Sequence, residues 1–480
     1  MLRAEWAHSA FLRLTLIGLL GGLACRREVL TPKPGLLRFS RDTVVFDSLF
    51  STVLSPTQRL WVYNPHRYPV QVTRVFLAKG AQSPYSFVWD GQVGPLETPY
   101  VLGAGDSAQV FLALRDTSFV DAVREDVLVI QTEAGTQEVP LRATLIAAYV
   151  YRDFAFDSVV LSLPTDKPIV VDGYLYVGPA AVLRLLPGTR LYFSARRWPS
   201  GPLQGELMSG LYVAGRLEAL GTPAQPIRCQ GWRLEPYYAS APGQWQGFWF
   251  FPSSSHNRLL YVEIAQASIG IRVDSAGGVA APKLYLEGCL IRDAANYGLV
   301  VQGFSPALPS QPILHAVNTL VYRCGQACAA FVGGGTYRLV HCAFLYDQGD
   351  LRRGVTALVL TDFLRLSESQ IQLYPLDFWA FNTLLWTAKE DAVVADLRGG
   401  PPLQYVFDHC AARQRDPLPG AGNLYPSLPG LGAAQDAYPL IEGSPLINAG
   451  RYDPTWSPPV DRLGRTRDNQ PDIGVYEYVR

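Results

Sequence analysis

RLVHCAFL, residues 338–345, sets His341 against Cys342, and the pair returns as His409-Cys410 in VFDHCAAR, residues 406–413. Two such pairs invite a metal site, but their neighbours point elsewhere. Six segments align: LYVEI (260–264), EGCLI (287–291), VNTLV (317–321), VHCAF (340–344), FNTLL (381–385) and DHCAA (408–412). Their central column reads Val262, Cys289, Thr319, Cys342, Thr383, Cys410, residues of similar size. Two positions on it reads Ile264, Ile291, Val321, Phe344, Leu385, Ala412, all apolar. The centres lie 27, 30, 23, 41 and 27 residues apart. Coils of roughly 20–30 residues fit a three-faced β-solenoid, in which each turn stacks on the last. The interval of 41 predicts an extra turn or an insertion around 350–375.

One residue before the centre stand Tyr261, Gly288, Asn318, His341, Asn382 and His409. Gly, Asn and His accept positive φ more readily than other residues, as a bend between two faces requires. Tyr261 is the exception, so its coil is expected to bend differently. Successive coils stack ~4.8 Å apart. With the Asn382 coil between them, the two histidines lie ~9–10 Å apart at the least. Zinc ligands sit ~2.0–2.3 Å from their metal, so the imidazoles are read as corner pieces and the thiols as filler. The separation also exceeds the ~7 Å Cα limit of a disulfide. No metal and no cofactor are expected. Cys324 and Cys328 have no second pair to complete a metal site. Cys328 aligns roughly with Ile269 and Tyr297 and is read as wall packing, with a 324–328 bridge as the alternative.

The chain has 480 residues, enough for more than one domain, and is 48% hydrophobic, enough for a large core. Lys+Arg and Asp+Glu both number 41. That balance leaves no basic stripe, so nucleic acid is not an expected partner. Arg3 and Arg13 flank the short apolar run Leu14–Ala24, too short to span a bilayer and suited to an export signal. The run ends at Ala24-Cys25 and resembles the lipobox of bacterial lipoproteins, although Gly22 stands where that pattern prefers Leu. The resemblance implies a lipoprotein signal segment over residues 1–25, cut ahead of its last residue so that Cys25 becomes the lipidated first residue, and an exported, lipid-anchored protein at the outer membrane or cell surface.

Residues 36–145 carry alternating, β-rich runs broken by glycines, the pattern of a β-sandwich. The order WVYNP, then Gly105-Asp106-Ser107 before a strand, then PLRATL, resembles immunoglobulin-like domains of the ASPM/SPD-2/Hydin group. The texture then changes. PGTRLYF (187–193) and LYVAGRLEALGTP (211–223) resemble the opening coils of secreted right-handed parallel β-helix proteins with a pectate-lyase-like fold. SPLINAG (444–450) and DIGVYEY (472–478) resemble their closing segment. The expected architecture is all-β: a sandwich over 26–148, a right-handed parallel β-helix over 149–415 and a loop-rich C-terminal cap over 416–480. Residues 149–168 read as a connector, and Asp461, Arg465, Asp472 and Glu477 as a salt-bridge network in the cap.

Two candidate sites follow. Asp293, Arg323 and Asp347 fall on three successive coils, where a polysaccharide lyase or glycoside hydrolase would gather acid, base and charge-stabilising groups. The plainer reading is charge pairing on a solvated face. Trp198, Trp232, Tyr237 and Tyr238 lie in loops between coils, where flat aromatic faces make binding platforms or seal the loops down. The leading expectation is a non-catalytic envelope protein whose elongated surface meets a polysaccharide or an envelope protein. The alternative is catalysis in a groove along the helix.

Overall fold

The computed structural model describes residues 31–51, 53, 55–200, 204–274, 282–346, 355–388, 390–433 and 437–479, with backbone alone for 198–200 and 204–206. Two units emerge, one spanning most of 1–145 and one formed mainly by Ile146–Arg480.

The first unit holds two five-stranded sheets. Along Ser107–Leu114 buried positions alternate with more exposed ones, as a strand with one face on a core demands. The asparagine of WVYNP does a specific job. Asn64 is buried, its amide donates to the carbonyls of Tyr68, Leu102 and Gly103, and its Oδ1 accepts from the His66 amide. The Asn64 amide itself donates to the Asp106 carbonyl. One side chain thus ties WVYNP to the Gly105-Asp106-Ser107 turn. The fold is a β-sandwich of immunoglobulin type.

The second unit is a parallel β-helix with three faces. Face A stacks Arg190–Phe193, Ile227–Gly231, Val262–Ala265, Leu290–Arg292, Leu320–Tyr322, Ala343–Leu345, Leu384–Trp386 and Ala411–Ala412. Face B includes Gly210–Val213, Phe248–Phe250, Ile271–Val273, Tyr297–Gln302, Ala327–Val332, Thr356–Thr361 and Val393–Asp396. Face C is a nine-stranded sheet from Val160–Ser162 to Leu403–Asp408. Parallel crossovers of this kind turn right-handed, because a right-twisted strand packs back onto its sheet only that way. The expected connector belongs to the coil. Tyr149–Phe156 pairs parallel with Ile169–Val177, and Val160–Ser162 with Val182–Leu185, so the solenoid begins at Tyr149. Its apolar, β-branched residues have partners only in the next coil, hence the loop-like appearance in isolation.

The predicted columns form. Ile264, Ile291, Val321, Phe344, Leu385 and Ala412 are in register, coil on coil. Each is essentially buried in one continuous core. The Cys–Thr alternation has a hydrogen-bonding logic. Thr319 and Thr383 donate to the carbonyls of Val317 and Phe381, the last residues of the preceding face C strands, both at 3.0 Å. Cys289, Cys342 and Cys410 donate to the carbonyls of Leu259, Ala316 and Ala380, at 3.3, 3.4 and 3.4 Å. Each side chain is small and brings a donor that a backbone carbonyl satisfies, so it can be buried without an orphaned polar atom. Burial pushes these three thiols up to about 12, so they stay protonated and unreactive. The six described cysteines are free and buried. Cys328 falls one register from expectation, opposite Gly298, because Tyr297 pairs with Ala327.

The bend column takes one conformation throughout. Gly288, Asn318, His341, Asn382 and His409 have φ of 63°, 47°, 49°, 49° and 51°. Tyr261 was the expected exception, yet it bends like the rest at φ 49°. Its ring occupies the space above Gly288, where a Cβ would lie 2.5 Å from the tyrosine Cε1. His341 Nε2 meets the Asn382 amide at 2.9 Å, whereas His409 Nδ1 meets Asp408 Oδ1 at 2.6 Å. The long interval of 41 contains an added antiparallel hairpin, Phe363–Arg365 with Ile371–Leu373.

The C-terminal segment caps and then doubles back. Phe407, His409 and Ala412 amides donate to the carbonyls of Pro419, Ala421 and Leu424, which covers the open strand edge of the last coil. The chain then returns along the outside of face A, where Tyr438, Leu446, Ile473, Val475 and Tyr476 pack on Leu290, Leu320, Leu345, Leu384 and Trp386. A buried polar cluster fixes it. Arg467 pairs with Glu477 and donates to Asn318 Oδ1 at 2.9 Å, and the Asn382 side chain exchanges two bonds with the Arg451 backbone. Asp461 and Asp472 accept backbone amides of the same segment, and Arg465 donates to the Glu477 carbonyl. Of the four residues expected to form a salt-bridge network, only Glu477 makes an ion pair among the described residues, with Arg467, which sequence reading passed over; Asp461, Arg465 and Asp472 bond to backbone groups instead.

Two outcomes test this packing. Cys342→Thr installs the group found one coil to either side, so unfolding free energy falls by less than ~1.5 kcal/mol in urea denaturation. Ile291→Ala opens a cavity and costs ~2–5 kcal/mol; equal losses for the two contradict the column. Burial, with Arg467 nearby, holds His341 well below its ordinary 6.5. A group with a depressed folded pKa that is neutral when buried contributes stability above the unfolded value, lost as pH falls below about 6.5, by up to ~1.4 kcal/mol per pH unit. Glu477, raised to about 7 by burial, acts in the opposite sense over an overlapping range. The difference between wild type and His341→Asn isolates the histidine: the variant loses less stability from pH 7 to pH 5, and parallel curves contradict the assignment.

Candidate functional site

The corner where face A turns into face B is where the solenoid departs most from repetition. On two adjacent coils it opens into long excursions. The first leaves after Arg190–Phe193 and holds the hairpin Arg197–Ser200 with Gln204–Met208, in which Trp198 is in register with Leu207. The second leaves after Ile227–Gly231 and holds Trp232, Tyr237 and Tyr238 before returning at Phe248–Phe250. Further along, the same corner closes into tight bends at Gln266, Asp293 and Arg323, with φ of 66°, 55° and 54°. The aromatic residues therefore share one edge with Asp293 and Arg323.

The aromatic loop is held rigidly. Gln266 donates to the carbonyls of Tyr238 and Ala239 at 3.0 and 2.8 Å, while its Oε1 accepts the Gly231 amide. Gln244 donates to the carbonyls of Tyr238 and Ala241 at 2.8 and 2.9 Å. Arg233 grips Glu235 with two nitrogens and lies 4.0 Å over the Tyr238 ring. That guanidinium draws the Glu235 carboxyl below its ordinary value against the opposing, larger effect of burial. Trp232 and Tyr238 are half-buried, and the Tyr238 ring packs against Arg233 and Tyr237. Tyr237 stands at 82% exposure, edge-on to Tyr238 at 5.2 Å between centroids. A fully presented aromatic ring on an ordered loop is the arrangement a binding platform needs, since little freedom is lost when a ligand arrives.

The charged bends are arranged otherwise. Arg323 donates to both oxygens of Asp293 at 2.8 Å, and Arg292 makes a third contact at 2.5 Å. The Asp293 side chain is only 5% exposed. Asp293 and Arg323 do come together from adjacent coils, but both carboxylate oxygens are engaged by guanidinium groups. Asp347 lies outside the described residues, as does Cys25.

Sequence reading missed the outer column of face C. Arg184, Glu218, Arg258, Tyr285, His315, Arg338 and Trp379 are in register on consecutive coils. Tyr285 meets His315 edge-on at 5.4 Å, and Trp456 of the C-terminal segment meets Trp379 at 4.8 Å. Burial, aided by Arg338, pushes His315 down to about 4, so it is neutral at pH 7. The signal lay at the third position before the bend residues (Tyr285, His315 and Arg338), but outward residues differ in type from coil to coil, so no repeated letter marks them.

No family model and no curated protein matches the chain. Solved structures similar to it include the PapD-like domain 7 of human CEP192, at 11% identity, TM-score 0.17, covering 25% of this chain and 96% of that one. The E. coli chaperone DraB matches at 16% identity and TM-score 0.19, covering 24% and 58%. A family 123 glycoside hydrolase from Clostridium perfringens matches at 3% identity and TM-score 0.18, covering 25% and 30%. At such scores the matches add nothing to the fold, which rests on the strand pairings above.

Proposed function

We propose that the protein is a non-catalytic, lipid-anchored envelope protein that binds a polysaccharide along the corner between faces A and B. The observation that carries this reading is Tyr237, exposed at the tip of a loop that Gln244 and Gln266 pin in place. Trp198 belongs to the hairpin on the neighbouring coil, in register with Leu207. Export and anchoring rest on the apolar run ending at Ala24-Cys25, with Cys25 as the lipidated residue. Two or more acyl chains hold a protein firmly on a bilayer. Catalysis by Asp293 and Arg323 fits the geometry less well. A general acid or base must reach the substrate's proton, and Asp293 already spends both oxygens on arginines.

Screening the full chain against purified envelope polysaccharides and a glycan array checks the proposal. Wild type retains at least one glycan, Tyr237→Ala weakens retention at least tenfold with unchanged melting, and no new reducing ends or unsaturated products appear. Retention untouched in both Tyr237→Ala and Trp232→Ala, or product formation abolished by Asp293→Asn, contradicts it.

A further inference from the structure

We infer a second binding site, on face C, selective for a sugar ring that carries an oxyanion. It is distinct from the corner platform and stands without it. A cavity of about 280 Å³ opens there, lined by Arg216, His256, Asn257, Arg258, Pro282 and Tyr285. That is near the lower limit of small-molecule pockets, the size for a single ring. Its floor is built. Asn257 is fully buried, its Oδ1 accepts the Leu217 amide at 2.8 Å and its amide donates to the Lys283 carbonyl at 3.0 Å. Lys283, also buried, donates from Nζ to the carbonyls of Phe251 and Pro252, which fixes the turn carrying His256.

Positive charge exceeds negative around the opening. Arg184 and Arg216 share one carboxylate, Glu218, at 2.7 and 2.5 Å. Arg258 lies beside Glu218 in the sheet register, is exposed, and makes no ion pair among the described residues. Its guanidinium sits 6.0 Å from the Tyr285 ring centroid. Glu287, the other carboxylate close by, accepts the Tyr285 hydroxyl at 3.0 Å. Arg216 Nε is buried and has no hydrogen-bond acceptor among the described residues. A buried N–H of this kind costs free energy until an acceptor arrives, and a guanidinium fork suits carboxylate, sulfate or phosphate oxygens. Tyr285 supplies the flat face that a sugar ring packs on. The column continues through His315 and Arg338 to Trp379 at one residue per coil. Beyond Tyr285 that column is taken up, with Trp456 against His315 and Trp379 and Arg338 paired with Asp377, so the site holds one ring over Arg216, Arg258 and Tyr285.

Calorimetry on the full chain with hyaluronan and heparin tetrasaccharides, neutral cellotetraose and inorganic sulfate tests the site. At least one acidic tetrasaccharide binds at least tenfold more tightly than cellotetraose and than sulfate, and its affinity falls as salt rises. Arg258→Ala, a change at an exposed residue that leaves the fold intact, weakens it at least tenfold; Arg258→Lys weakens it less. The site is overturned by equal binding of acidic and neutral chains, by sulfate binding as tightly as the sugars, by no binding at all, or by indifference to Arg258→Ala.

Discussion

Parallel stacking at ~4.8 Å is the constraint on which the second unit depends. Each coil must offer the next a strand in register, so every inward position becomes one link in a column. The chemistry permitted there is narrow: apolar side chains, or small polar ones whose donors a neighbouring carbonyl can take. Cys289, Thr319, Cys342, Thr383 and Cys410 satisfy it with hydrogen bonds of 3.0–3.4 Å. At the bends the demand is for positive φ, and His341 and His409 meet it beside Gly288, Asn318 and Asn382. Residues that look reactive in the sequence are structural because the stack leaves them no other part.

The same constraint directs function outward. Corners are free to lengthen, because a loop between two strands does not disturb the pairing of either. The excursion carrying Tyr237 and the bends at Asp293 and Arg323 share one corner yet differ in character. The first presents a ring to solvent on a pinned loop; the second closes on itself with a carboxylate held between two guanidinium groups. The outer column of face C is continuous, so side chains from successive coils align over several rungs. The C-terminal segment covers face A, where Leu320 and Leu384, outward on their strands, are buried beneath it, and sets Trp456 against His315 and Trp379 of face C.

Much of this was written in the sequence, and the exceptions have physical causes. The inward columns were readable because burial restricts them to a few residue types at a coil's spacing. The two-part all-β organisation followed from the change of pattern after residue 145. Residues 149–168 read as a connector because their pairing partners lie a coil away, and nothing local marks a first coil as such. Tyr261 defied the bend rule on paper because its compensation, the missing side chain of Gly288, is 27 residues distant. Arg467 was invisible as a hub because Asn318, which it contacts, is 149 residues earlier in the chain. The cationic and aromatic column of face C escaped for the converse reason: outward positions do not repeat.

Alkylation of the native chain, mapped by peptide mass spectrometry, probes the stacked interior most directly. If the thiols of Cys289, Cys342 and Cys410 line the inside of a closed column, they stay unmodified in native buffer, with or without added zinc, and react together once denaturant unfolds the solenoid. Prompt modification of any of the three in the native protein, or protection that depends on zinc, contradicts the account.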